Sequence, residues 1–508
     1  MPTPARLPPR ASSADGRRGD LMSESFQDVL AGLADIVGAN HVIDSGPDQE
    51  PYVVDWRERY RGRAVAVVKP ASTAEVAAVV RYCAERRLAI VPQGGNTGMC
   101  GGATPDDGAF NVVIRLDRMR RVRDVSPLAN TITVEAGCIL AEVQAAATAA
   151  DRYFPLSLGA EGSCQIGGNI STNAGGTAVL RYGPMRDLVL GLEVVLPNGR
   201  IFNGLRALRK DNTGYALKQL FIGAEGTLGI VTAAVLKLFA PPRSSALALL
   251  KLHDVEQALQ IMQRLRGAVG DRLGSLEIMS RSQIEAIAAT VPHVPIPFEL
   301  TTPWYLIVEL TDTLAGIDLN EPLAAVLSEA MDAGLAEDAV LASSLAQAKA
   351  IWAVRQSVSE GNKRCGYVVS HDSVVPLENQ AAFATNVETR ILAAVPHARV
   401  VMHGHIGDGN IHVVALIDRD RCHDPAATAA LVARINEIVD DETAAQGGAI
   451  SAEHGIGITN RGRLARVAAP LDIDLMRGLK QLLDPNGLMK TDKIIAGEHG
   501  ATGRAGAA

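Results

Sequence analysis

At 508 residues the chain is too long for a single hydrophobic core, so two or three domains are expected. Its 49 Lys and Arg against 56 Asp and Glu give a net charge of −7, which offers nucleic acid no electrostatic footing. With 47% hydrophobic and 21% charged residues the composition is that of a globular protein, and no apolar run is long enough to span a bilayer.

Residues 1–21 are rich in Pro, Arg, Ser and Gly and lack an apolar stretch, so they read as a disordered tail and not as a secretory signal. Met22, which opens sequence with a helical look, is an alternative start, and a mitochondrial transit peptide is the weaker alternative, since Arg is present but so are Asp15 and Asp20. From about 64 to 240 the pattern is α/β. Ala64–Val68 predicts a strand, and Ser72–Arg87 a helix with Ser72 and Glu75 as a capping box. Leu88–Val91 is a strand running into Pro92-Gln-Gly-Gly-Asn-Thr-Gly98. Thr131–Glu135 is a further strand, Leu140–Ala150 a helix, and Leu192–Phe202 a hairpin turning at Pro197-Asn198-Gly199. Ile230–Phe239 is an apolar strand closed by Pro241-Pro242, which marks a domain boundary. Beyond it helices (Val255–Val269, Leu323–Ala333 with Pro322 in its first turn, Leu345–Gly361) alternate with strands (Trp304–Leu310, Val400–His405, His412–Ile417). That predicts an α+β unit with a largely antiparallel sheet, followed by helix from about 454. The six cysteines (Cys83, Cys100, Cys138, Cys164, Cys365, Cys422) form no C-x-x-C pair, as suits a reducing cytoplasm.

Two features carry chemistry. Gly407-Asp-Gly-Asn410 tolerates positive φ, so the strands on either side reverse there and bring His405 beside His412. Glu453 completes a site of two His and one carboxylate, suited to a divalent transition metal, and His454 beside it is free to move a proton. His403 shares the strand face of His405 and reads as a hydrogen-bonded neighbour of the ligands. The second feature is glycine. The clusters at 94–102, 159–176 and 223–229 match neither a P-loop nor G-x-G-x-x-G. One such loop is by default a structural turn. Three in one region favour a dinucleotide held by backbone amides.

Pro92–Gly98, Pro155-Leu156 through Gly167-Gly-Asn169 to Asn173-Ala-Gly-Gly176, Arg181-Tyr-Gly183 and Gly223–Ile230 resemble the FAD-binding domain of vanillyl-alcohol-oxidase-type flavoproteins. Trp352-x-x-Arg355, Gly404–His412 and Ile450–Gly455 resemble their D-2-hydroxyacid dehydrogenase branch, which includes D-2-hydroxyglutarate dehydrogenases, flavin D-lactate dehydrogenases and the glycolate oxidase D subunit. The resemblance covers about 45–495. It implies an α+β chain: a PCMH-type FAD-binding domain of two α/β subdomains (22–243), an α+β cap domain with antiparallel sheet and metal site (244–453), and a C-terminal helical segment packing back on the FAD domain (454–498).

The resemblance further implies that FAD is surrounded by Pro92, Gly94, Gly95, Asn96, Thr97, Gly98, Pro155, Leu156, Gly162, Gly167, Gly168, Asn169, Thr172, Asn173, Gly175, Gly176, Arg181, Gly183, Glu225, Gly226, Gly229 and Ile230. Asn96 stands where some relatives carry a flavin-linking His, so non-covalent FAD is expected. His405, His412 and Glu453 take the place of ligands to zinc or manganese, His454 that of the base, and Arg355 that of the arginine on the substrate carboxylate. Ser359, Ser370 and Val414 stand where the 2-hydroxyglutarate enzymes carry Thr, Lys and Asn, and His371 is the candidate substitute for that Lys. Loss of two polar contacts shifts the expectation toward a monocarboxylate such as D-lactate. Lys490-Thr491 replaces an Asn-Pro. The electrons go to a quinone, an electron-transfer flavoprotein or a cytochrome; glycolate as substrate, O₂ as acceptor, a homodimer and peripheral contact with the inner membrane stay open, in an otherwise cytoplasmic protein. Two rival classes are a zinc hydrolase with structural glycine loops and a non-catalytic flavoprotein subunit.

Overall fold

The structure, a computed structural model, describes residues 26–108, 110–489 and 492–495. The expectations for residues 1–21 and for Lys490-Thr491 fall outside them.

Three sheets organise the chain. The first joins Val42–Ile43, Ala66–Val68, Asn111–Arg115 and Ala89–Gln93 in that order, the last three parallel. The second is wholly antiparallel: Val122–Ser126, Thr131–Glu135, Ile230–Lys237, Val189–Val195 and Ile201–Gly204. The two share one apolar core with the helices Phe26–Val37 and Thr73–Arg86. Ser72 caps the second helix, its Oγ accepting from Glu75 N at 3.2 Å. The Glu75 carboxylate reaches back one residue further than a capping box requires and accepts from Ala71 N at 2.8 Å. The predicted hairpin turns where expected, with Gly199 at φ 75° and its N–H on Leu196 O.

The third sheet has seven antiparallel strands in the order Asp338–Leu341, Ser244–Leu252, Trp304–Asp312, Leu273–Ser280, Arg399–His405, Asn410–Ile417 and Tyr367–Val374. Helices Val255–Val269, Asn320–Asp332, Gln380–Ala394 and Pro425–Ala445 cover one face with a continuous aliphatic core. The other face is covered at one end only, by Arg281–Thr290 and Leu345–Gln356. Side chains on the rest of that face line a large cavity.

One predicted helix divides. Leu345–Gly361 is two helices, Leu345–Gln356 and Val358–Cys365, which divide at Ser357, whose Oγ donates to Ala353 O at 2.7 Å. The chain then returns to its start: Met489 bridges Ile90, and Lys480 Nζ donates to Thr227 O at 2.9 Å. Among the described residues no helix is long and apolar enough to cross a membrane.

Candidate active site

Strand register decides which side chains meet. Glu277 lies opposite His405, Met279 opposite His403, His403 opposite His412, Asp372 opposite His412, and Ser370 opposite Val414. Because side chains alternate along a strand, Glu277, His403, His405, His412, Ser370 and Asp372 all emerge on the uncovered face. The reversal occurs at Ile406–Asp408 and Gly409, whose φ of 95° needs glycine. Glu453 and His454 arrive on the loop after Ile450.

His405, His412 and Glu453 bring one donor atom each to within 4.8 Å of one another, with His405 Nε2 3.6 Å from Glu453 Oε1. Asp372, His412 and His454 form a second group of that span. The first suits a cation better. Asp372 Oδ2 is already occupied by the N–H groups of Ala452 (3.0 Å), Glu453 (2.8 Å) and His454 (2.8 Å) and by Ser451 Oγ, while Oδ1 accepts from Asn410 Nδ2. His405, by contrast, spends only Nδ1, on Glu277 Oε1 at 2.5 Å, which leaves Nε2 aimed at Glu453.

The electrostatics agree. Burial lowers His405, but the Glu277 and Glu453 carboxylates outweigh it and hold the imidazole well above its ordinary pKa. Burial raises Glu453, and the His405, His412 and His454 rings outweigh it and hold the carboxyl below the usual range. Burial, only partly opposed by Asp372, brings His412 down to about 4, so its imidazole is neutral at neutral pH, as binding a metal requires. His403 stacks on His412 with ring centroids 4.8 Å apart and is held far below its usual pKa by burial and then by His412. The donor set therefore fits a divalent metal: two imidazoles, one carboxylate, and a second carboxylate orienting a ligand from behind.

Glu277 ties this group to Arg355. Only 1% exposed, it accepts from Arg355 Nε at 2.7 Å through the oxygen that His405 leaves free. Arg355 Nη1 and Nη2 have no hydrogen-bond partner among the described residues, and the side chain lines the large cavity in front of the sheet. That cavity, about 1450 Å³, is also lined by His403, His405, His412, Glu453, His454 and Ser359. His454 Nδ1 stands 3.7 Å from Asp372 Oδ2.

Glycine loops form the opposite wall. A smaller cavity of about 140 Å³ is lined by Pro92, Gly94, Gly95, Asn96, Thr97, Gly98, Gly167, Gly168, Asn169, Thr172, Glu225, Gly226, Gly229 and Ile230; it shares Thr97, Gly98, Asn169, Thr172 and His454 with the large one. Gly162, Gly175 and Gly176 line the large cavity. At Gly98, Gly162 and Gly168 an added Cβ would meet nothing within 4 Å, so bare backbone faces open space. Asn169 Oδ1 and Gln165 Oε1 are buried without a partner beside it. Amide-rich walls, space and orphaned acceptors fit a dinucleotide. At Gly175 a Cβ would stand 2.7 Å from Glu453 Oε1, so this glycine lets the two walls meet.

Several expected contacts lie elsewhere. His371 does not replace the missing Lys: one residue out of step with Ser370, it turns to the helical face, where its Nε2 pairs with Asn436 Oδ1 at 2.8 Å and burial lowers its pKa to about 4. Val414 is buried with Ala286, Val401 and Leu416. Ser370 lies outside the cavity wall and accepts from Arg57 Nη1 at 3.0 Å. Of the expected FAD contacts, Pro155 and Leu156 are buried, Asn173 Oδ1 accepts from Arg186 N, Arg181 donates to Thr311 O at 2.7 Å across to the third sheet, and Gly183 ends a short helix at φ 76°. These five shape the loops and do not line either cavity. Glu225 does line one, but its carboxylate is engaged by the N–H groups of Ile456 (2.7 Å) and Gly457 (2.8 Å). Glu277, Asp372, Gln165 and Arg57 were not singled out from the sequence. Glu277 and Gln165 are single polar residues in otherwise weakly patterned segments, Arg57 is one of several charged residues in 55–63, and only period-two alternation in Ser370-His-Asp372 hinted that Asp372 shares a face with Ser370.

Comparison with known proteins agrees with this arrangement. Residues 64–204 match the FAD binding domain family and residues 241–494 the FAD linked oxidases, C-terminal domain family. The chain is 37% identical over 473 residues to the mitochondrial D-2-hydroxyglutarate dehydrogenase of Bos taurus, covering 92% of this chain and 84% of that one. It is 35% identical to D-2-hydroxyglutarate dehydrogenase of Xanthomonas citri (92% and 96% covered) and 33% identical to a D-2-hydroxyglutarate–pyruvate transhydrogenase of Saccharomyces cerevisiae (92% and 94%). In fold it resembles p-cresol methylhydroxylase (TM-score 0.72, 17% identity, 93% and 97% covered) and 4-ethylphenol oxidase of Gulosibacter chungangensis (TM-score 0.70, 18% identity, 96% and 99%). The fold is therefore the PCMH-type one.

Proposed function

The chain belongs to the FAD-linked D-2-hydroxyacid dehydrogenases, and from that membership we propose how its residues divide the work and which acid they take. Arg355 grips the carboxylate next to the reacting carbon through Nη1 and Nη2 while Glu277 fixes its Nε. His454, steadied by Asp372, removes the proton of the α-hydroxyl. His405, His412 and Glu453 would hold a zinc or manganese ion, which would supply Lewis acidity toward that hydroxyl. The glycine loops would hold non-covalent FAD, which would supply the acceptor for the hydride lost from Cα as the C–O bond becomes a carbonyl. Proton and hydride together account for the two electrons and two hydrogens lost by the acid.

One observation carries the reading: the free edge of Arg355, the ring of His454 and the His405–His412–Glu453 donors all line the same cavity, and His454 also lines the glycine-walled one. A hydrolase would leave the second wall without a purpose, and a non-catalytic subunit has no need of a clamped Arg355. The relatives' names bring D-2-hydroxyglutarate here as the substrate, in place of the monocarboxylate that Ser370 and Val414 suggested. The acceptor is read as a quinone, an electron-transfer flavoprotein or a cytochrome. Six cysteines without a disulfide support a cytoplasmic location.

The test is the visible spectrum of the purified protein, followed without oxygen as D-2-hydroxyglutarate, D-lactate, D-malate and glycolate are added in turn. Bleaching of the flavin by a D-acid, reversed only when an acceptor is supplied, is the expected result. A flavin that none of them reduces would overturn it.

A further inference from the structure

Among the described residues Arg57 is a half-buried cation that forms no ion pair. It follows Asp55, whose carboxylate accepts the N–H groups of Arg57 (3.2 Å), Arg59 (2.7 Å) and Tyr60 (2.6 Å) and so fixes the backbone of this turn. Its guanidinium carries five N–H donors. Among the described residues its partners are the Ser370 hydroxyl at 3.0 Å and the Met99 sulfur at 3.7 Å, and no carboxylate forms an ion pair with it. Burial, then the neighbouring Arg59, lower its pKa to about 10, so it stays charged at neutral pH. A partly desolvated guanidinium with spare donors is costly unless something anionic completes it.

Its position says what that anion is. Arg57 lines the same cavity as Arg355 and His454. Its seat, Ser370, lies two residues along one strand from Asp372, which steadies His454. Strand rise puts those two positions about 7 Å apart. A five-carbon diacid separates its carboxyl carbons by about 5 Å, from bonds of about 1.5 Å. Of the other cations lining that cavity, Lys363 lies over the Trp56 ring, Arg419 donates to Lys363 O and Arg59 to Met99 O, while Lys349 is exposed to solvent.

Resting on the function proposed above, we propose that Arg57, seated on Ser370, binds a second carboxylate of the substrate and makes the enzyme selective for D-2-hydroxy diacids. The guanidinium comes from the flavin-binding half of the chain and its seat from the third sheet, so the specificity contact forms only where the two halves meet. The position left neutral at Ser370 is served from across the cavity.

The holoenzyme and its Arg57→Met and Arg57→Lys variants decide this, once each is shown to keep its flavin spectrum. The readouts are kcat/KM for D-2-hydroxyglutarate and for D-lactate, and binding of the products 2-oxoglutarate and pyruvate read from the perturbed flavin spectrum. In Arg57→Met the ratio of D-2-hydroxyglutarate to D-lactate efficiency falls about 100-fold, mainly through KM. 2-Oxoglutarate binding weakens by the same factor, and Arg57→Lys recovers part of both. Equal losses on both acids, no loss on either, or a wild-type enzyme that prefers D-lactate would overturn the clamp while leaving the reaction in place. If no hydroxy acid reduced the flavin, the reaction would fall. The 2-oxoglutarate titration would still decide the clamp: weaker binding in Arg57→Met supports it, and unchanged binding overturns it.

Discussion

The two walls of the cavity are built by opposite means. The glycine loops work by what they lack: at Gly98, Gly162 and Gly168 the backbone faces open space with no side chain between. The third sheet works by what it adds, a row of ionisable side chains brought to one face by strand register. Substitution should therefore fail differently on each side. An added atom obstructs the first wall, and a removed atom empties the second.

The largest expected effect lies on the second wall. His405→Ala, His412→Ala or Glu453→Ala removes a donor from the three-residue group. Turnover should drop by about 10³-fold or more, since several kcal/mol of charge stabilisation go with the metal. Metal analysis should show the ion gone and the flavin spectrum should be retained. A variant that lost flavin and kept metal would show that the two walls do not divide the work in this way.

The first wall yields the next effect. Gly168→Val points atoms into open space and should weaken FAD binding at least tenfold in reconstitution titrations while the apoprotein keeps its stability. Gly95→Ala behaves differently, because its Cβ would run into Ser163 O and the Cys164 backbone. There the cost is overpacking, about 1–3 kcal/mol of stability by denaturant titration. If both variants lost only flavin, the contrast between a bare wall and a packed loop would be wrong.

This contrast also explains what could be read from the sequence. Glycine motifs are contiguous, so the 92–98, 167–176 and 223–230 loops stood out in the sequence, and parts of each line a cavity. The histidine turn was legible for the same reason, since His405, Gly409 and His412 fall within one reversal. Groups that act across strands were not. Glu277 sits in Leu273–Ser280, a fully buried run with no alternation to mark it as a strand. Asp372, His405 and Glu277 belong to three strands that only the sheet order brings together. The error at His371 has the same root: one step along a strand reverses the face, and residue type cannot reveal the parity. The break at Ser357 was hidden as well, because a back-bonding serine looks like any other polar residue on a helix.

Smaller effects sharpen the account of the second wall. Asp372→Asn keeps the size of the side chain but replaces one acceptor oxygen with a donor, facing either the N–H groups of residues 452–454 or Asn410. Glu453 and His454 would then be held less firmly. A loss of about 10- to 100-fold in kcat or metal affinity is expected, with FAD affinity unchanged. Equal loss of FAD would make Asp372 a general support of the fold and not a positioning residue of one wall.

The smallest effect concerns the seam between the walls. Glu225 leaves the glycine loop at φ 50° and gives its two oxygens to Ile456 N and Gly457 N, just past the His454 loop. Gly455 and Gly102 are bare beside that carboxylate, where a Cβ would stand 2.7 Å and 3.3 Å away respectively. Glu225→Gln turns one acceptor into an amide facing an N–H, so one backbone donor loses its partner in a buried place. About 1–3 kcal/mol of stability should go with it, seen as a lower denaturation midpoint. Because this contact ties the His454 loop to the glycine wall, kcat should fall somewhat while the FAD content, and that of any metal, is unchanged. A drop in stability with kcat untouched would mean that the two walls hold their spacing without this contact.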